Sequence, residues 1–122
     1  MQNSGINNKA HVSHGTACAL MLPYVMEFNL IGNMDKFARV AELMGEKTEG
    51  LSLRKKAERS VAAVRCLSAD VGLPQTLREV GIKDTDVPEI VDYVFKFHGY
   101  QIENNPRYVS PEDLERIVRA AL

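Results

Sequence analysis

The chain has 122 residues, 45% hydrophobic and 25% charged, with a formal net charge of −1. That length suits one domain with its own core, and a near-neutral charge offers no footing for nucleic acid or an anionic membrane surface. The apolar run from Ala17 to Phe28 is broken by Pro23 and Glu27 and falls short of the ~20 residues that span a bilayer. No cationic leader with a cleavage site opens the chain.

Residues 1–13, with Asn3, Ser4, Gly5, Asn7 and Asn8, lack periodicity and read as an irregular lead-in. Residues 14–122 read as one helical domain. A first helix is expected from about Gly15 to Leu30, interrupted by Pro23, which removes one backbone donor. It is apolar on both faces and so reads as central. Its expected core side chains are Ala17, Leu20, Met21, Val25 and Phe28.

Asn33 is placed to cap a second helix with Met34, Phe37, Val40, Ala41 and Met44 at helical spacing, ended by Gly45. Ser52 caps a long third helix whose stripe is Ala57, Val61, Val64, Leu67 and Val71, ended by Gly72. The basic cluster Arg54-Lys55-Lys56, followed by Glu58, reads as a solvated helix start. Leu73-Pro74 restarts a short helix that ends at Gly81. Asp86 and Glu89 have the spacing of a capping box, with Pro88 in the tolerant first turn. Val87, Ile90, Val91, Val94 and Phe97 then form an apolar face up to His98-Gly99. After a loop with Asn104-Asn105-Pro106-Arg107, Ser110-Pro111-Glu112-Asp113 opens a last helix that buries Leu114, Ile117, Val118 and Ala121. No segment alternates with period two, so the fold class is all-α, a bundle-like domain of about six helices including one short one.

Three histidines are candidates for chemistry. His14 stands at a helix start, where an imidazole serves either as a hydrogen-bonding group or as a ligand for iron, zinc or nickel. His11 lies in the lead-in and reads as a surface residue, and His98 ends a helix, where the dipole favours it. Cys18 and Cys66 lack C-x-x-C spacing and read as two buried free thiols in a reducing cytoplasm. Among these, His14 carries the most information. It runs through Gly15 into Ala19, Leu22-Pro23, Val25-Met26 and Phe28-Asn29, and Asn105-Pro106-Arg107 precedes the last helix.

These stretches closely resemble the "His-Gly … Leu-Pro-x-Val-Met-x-Phe-Asn" segment and closing tripeptide of the iron-containing (group III) alcohol dehydrogenases. The resemblance implies that His14 is a ligand of the metal, Fe2+ or Zn2+, and that the parent enzyme uses NAD(P) and small alcohols or aldehydes. It implies a ligand set of one aspartate and three histidines, with the aspartate and first histidine before Met1. Another family histidine would fall near Ser4, where this chain has none. The family's N-terminal cofactor domain has no counterpart here. The expectation is therefore the C-terminal fragment of a cytoplasmic oxidoreductase, inactive as an isolated chain and binding no metal or NAD(P) alone. Self-association, or binding of a separate cofactor domain, is expected. The rival is a non-enzymatic helical interaction module derived from that domain. Arg107 reads as structural, pairing with an acid to lock the last helix.

Overall fold

The computed structural model describes residues 13–122, so the lead-in through residue 12, including Ser4 and His11, lies outside the described residues. Among the described residues there are six α-helices and no strands: α1 (His14–Asn29), α2 (Met34–Leu43), α3 (Leu53–Asp70), α4 (Val87–Phe97), α5 (Gly99–Glu103) and α6 (Pro111–Ala120). The all-α class expected from the sequence stands. Its short helical element differs in place. The restart after Leu73-Pro74 is only a 3-10 turn, Arg78–Val80, closed by left-handed Gly81 with φ +92°. The one-turn helix sits instead at Gly99–Glu103. Residues 75–79 are organised by Glu79, whose carboxylate accepts from the Gln75 and Thr76 amides at 2.7 and 2.6 Å.

Helix α1 is the axis of the molecule. Ser13 accepts from the Thr16 amide at 3.3 Å and so caps it. The helix continues through a buried Pro23. Its first half packs Ala17, Leu20 and Met21 into the main core with Leu77, Ile90, Val94, Leu114, Ile117 and Val118. Its second half places Met26, and the Leu30–Gly32 turn that follows places Leu30, in a smaller cluster with Ala57 and Val61, flanked by half-buried Met34, Phe37 and Val64. Val25 and Phe28, expected in the core, are only partly buried against it.

α4 and α6 pack on each other, and α6 also packs on α1. Ser110 and Asp113 form a reciprocal capping box, with both bonds at 3.1 Å, so the expected start of α6 is as read. The expected box at α4 is not: Asp86 has helical φ and ψ and makes no cap bond, and its carboxylate accepts from the Lys83 amide at 2.9 Å. The 3-10 turn Asp84–Asp86 has taken over the entry to the helix. Asn33 likewise makes no side-chain cap for α2; it donates back to the Asn29 carbonyl at 3.1 Å.

α2 and α3 form a hairpin in which the large-residue stripes expected from sequence are only partly inside. The buried positions are small, Ala38 and Ala41 in α2 and Ala57, Ser60, Ala63 and Ser68 in α3, together with Val61. Val40 and Met44 are exposed, as are Leu67 (55%) and Val71 (64%). Helix length explains the second pair. α3 has 18 residues and α2 has 10, and at ~1.5 Å per residue α3 outruns its partner by roughly 12 Å. The end of its stripe has nothing from α2 to cover it. Phe97, also expected inside, lies in the last turn of α4, exposed and 5.0 Å from Tyr93.

Candidate functional site

His14 is the first residue of α1, directly after the Ser13 cap, so its backbone is fixed by the first turn of the central helix. Its side chain lies outside what the structure describes. Among the described residues there is no group of three or more His, Cys, Asp or Glu side chains placed to hold a metal ion. His98 is the C-cap of α4. Its amide donates to the Val94 carbonyl at 2.8 Å and its ring lies 5.7 Å from Tyr93, a placement suited to the structural reading. Neither Cys18 nor Cys66 forms a disulfide among the described residues, and neither is buried as expected: Cys18 is half-buried and Cys66 is exposed on the solvent side of α3.

The two stretches that carried the resemblance meet in space, 76 residues apart. Asn29, itself buried, and Asn105 exchange amide hydrogen bonds, Asn29 Nδ2 donating to Asn105 Oδ1 at 3.0 Å and Asn105 Nδ2 to Asn29 Oδ1 at 2.7 Å. Asn105 Nδ2 also donates to the Arg107 carbonyl at 2.8 Å. Arg107 in turn donates to the Phe28 carbonyl at 2.8 Å and lies 4.1 Å from the centre of the Phe28 ring. A guanidinium at a helix C-terminus satisfies a carbonyl that has no intrahelical partner and opposes the negative end of the dipole. Stacking on the aromatic face adds to this. The structural role expected for Arg107 is thus realised on α1. Its partner is a helix-terminal carbonyl and a ring, where an acid had been expected.

Sequence reasoning missed Asn29 as a member of this network. The signal was available, since Asn29 closes one recurrent stretch and Asn105 opens the other, but only the fold brings them together. The 104–109 loop stands between two clefts. One, of about 260 Å³, lies between α1 and α6 and includes Phe28, Arg107 and Arg116. The other, of about 560 Å³, is lined by Phe95, Ile102, Asn105, Tyr108 and Val109. In the first, the Asp113 carboxylate accepts from the Ser110 amide and pairs with Arg116, and the Ser110 amide bond foremost holds its carboxyl below the usual range. No helix among the described residues is long and apolar enough to cross a membrane.

Comparison with known proteins gives a consistent result. The model of the Fe-containing alcohol dehydrogenase family, C-terminal, matches residues 5–122. The chain is 43% identical over 108 residues to 1,3-propanediol dehydrogenase of Citrobacter freundii, covering 88% of this chain and 27% of that protein. It is 35% identical over 108 residues to lactaldehyde reductase of Escherichia coli (strain K12), covering 88% of this chain and 28% of that protein. Among solved structures, a 1,3-propanediol oxidoreductase superposes with a TM-score of 0.91 at 39% identity, over 98% of this chain and 31% of the other. An alcohol dehydrogenase from Oenococcus oeni gives 0.89 at 37% identity, over 98% of this chain and 31% of the other. The chain spans less than a third of the length of these relatives. With the family model matched over nearly all of its residues, the chain belongs to the iron-containing alcohol dehydrogenase family and corresponds to its C-terminal part.

Proposed function

We propose that this chain is the metal-contributing C-terminal part of an oxidoreductase that moves hydride between a small alcohol or aldehyde and NAD(P). The observation that carries the reading is His14 at the capped start of α1, in a helix whose far end is tied to the Asn-Pro-Arg loop. The names of its relatives support the substrate class: 1,3-propanediol dehydrogenase, NAD-dependent methanol dehydrogenase and lactaldehyde reductase all refer to short alcohols or aldehydes.

His14 supplies one imidazole to a divalent iron or zinc ion in this reading. A catalytic ion of this kind generally has three protein ligands and an open position, and the described residues hold no such cluster. In this reading His14 is one donor of the set, and the other ligands come from residues of the enzyme outside this helical part. When bound, the ion supplies Lewis-acid polarisation of the substrate oxygen. The chain's own contribution is rigidity. Ser13 fixes the first turn of α1, the two clusters fix its sides, and Arg107 fixes its end. In this reading the nicotinamide cofactor is held by a separate domain of a cytoplasmic enzyme.

The second reading, a helical interaction module without chemistry, draws on the exposed apolar side chains Leu43, Leu67 and Val71. One assay separates the two. The chain is mixed with the upstream, cofactor-binding part of a 1,3-propanediol dehydrogenase, and NADH formation from short diols is followed. Hydride transfer is expected from the mixture and not from the chain alone, and it is expected to vanish with His14→Ala. Activity that survives His14→Ala contradicts the role given to that residue.

A further inference from the structure

We propose that the α2–α3 hairpin undocks from α1 as one unit while α1 stays seated on the α4–α6 core. Three observations lead to this, none of which depends on the metal reading. First, the substantial inter-element contacts of α2 and α3 are with each other, with α1 and with the Leu30–Gly32 turn, whereas α4 and α6 pack with each other and α6 with α1. The hairpin is thus a lobe hung on one side of one helix.

Second, although α3 lies close along α1, the apolar cluster that holds the lobe is small. Its buried members are Met26, Leu30, Ala57 and Val61, flanked by half-buried Met34, Phe37 and Val64, against fifteen buried residues in the main cluster. Of the polar straps, Asn33 donates to the Asn29 carbonyl at 3.1 Å at the hairpin's root, and the others face solvent: Arg65 to Glu27 at 3.2 Å, and the Arg65 guanidinium 5.2 Å from the Tyr24 ring. Exposed ion pairs of this kind hold weakly. Third, the end of α1 has its own anchor on the other side. Phe28 and Asn29 are held by Arg107 and Asn105, which belong to the loop between α5 and α6. Loss of the hairpin therefore leaves the α1 terminus capped. Once free, a pair of helices of 10 and 18 residues is marginal in water and melts, so undocking is visible as amide exchange.

Native-state hydrogen exchange on the 122-residue chain tests this directly. The slowest amides of α3 are expected to exchange at least ~30-fold faster than the slowest of α4 and α6, as for a sub-global opening below the global one. Amides of residues 26–29 are expected to exchange with the slow α4–α6 set, and in Arg107→Ala to fall to the rate of the hairpin. A mild main-core variant, Ile117→Val, supplies the second arm. It weakens the native and the undocked states equally against the unfolded chain, so it should speed α4 and α6 several-fold and leave α2 and α3 unchanged. A common exchange limit for α3, α4 and α6 overturns the proposal. Equal acceleration of all helices by Ile117→Val overturns it too, as does exchange of residues 26–29 together with α3 in the unaltered chain.

Discussion

The two halves of α1 meet different neighbours, and the contrast explains most of the molecule. Leu20 and Met21 enter a core filled by large aliphatic side chains from α4 and α6, whereas Met26 and Leu30 meet a hairpin that offers Ala57 and Val61. Both regions show apolar residues at helical spacing. In the first, helices of 11 and 10 residues match in length and bury nearly the whole stripe. In the second, α3 outlasts α2, and alanines and serines occupy the contact. The lesson is that periodicity identifies the inward face of a helix, but the length of the partner decides how much of that face is covered.

Substitutions can sharpen this contrast, beginning with the largest effect. Leu114 is almost fully buried in the main core, so Leu114→Ala is expected to lower unfolding stability by ~2–5 kcal/mol. Val61→Ala in the hairpin cluster removes less apolar volume, and at roughly 0.8 kcal/mol per buried methylene it should cost about 1.5 kcal/mol. Leu67→Ala, at a position the sequence placed inside and the structure places at 55% exposure, is expected to stay within about 0.5 kcal/mol of the parent. Chemical denaturation of the three variants checks the order. A cost for Leu67→Ala that matches Leu114→Ala would break the distinction between the regions.

Acid sensitivity belongs to the main-core side. Glu79 is held below its ordinary value of 4.5 by the Gln75 and Thr76 amides, and Asp113 below 3.8 chiefly by the Ser110 amide. A carboxyl whose folded pKa is depressed stabilises the fold above its unfolded pKa, and that contribution fades as pH falls through the folded value. Stability should therefore decline as pH drops below about 4.5, toward and beyond the depressed values. Glu79→Gln and Asp113→Asn should each flatten that decline while lowering stability at neutral pH. An unchanged acid limb in both variants would remove these caps from the account.

Much of the fold was legible in residues whose chemistry is local. Ser13, Ser52 and Ser110 accept from the amides three residues on, and Gly45, Gly72 and Gly81 adopt positive φ after helical turns. The Ser52 and Ser110 caps and the stops at Gly45 and Gly72 agree with the sequence reading, whereas Gly81 closes a 3-10 turn in place of the expected helix and Gly99 opens α5. What failed needed knowledge of neighbours. Asn33 turned back to Asn29 because that carbonyl was within reach, and Asp86 was drawn to Lys83 by a turn the sequence did not announce. The site was legible as two stretches that resemble one family, but not as one object. Nothing in the spacing of Asn29 and Asn105 signals that their amides pair.

The central claim is that His14 contributes one ligand to a metal site completed by the rest of the enzyme. Its most direct test is the metal content of the chain, alone and paired with the cofactor-binding part of a 1,3-propanediol dehydrogenase, each with and without His14→Ala. Because ligands from both pieces are needed, the account predicts one iron or zinc ion per pair and none retained by the chain alone. His14→Ala should abolish retention in the pair without changing the unfolding of the chain. A chain that holds stoichiometric metal by itself, or a His14→Ala pair that keeps its ion, would contradict it.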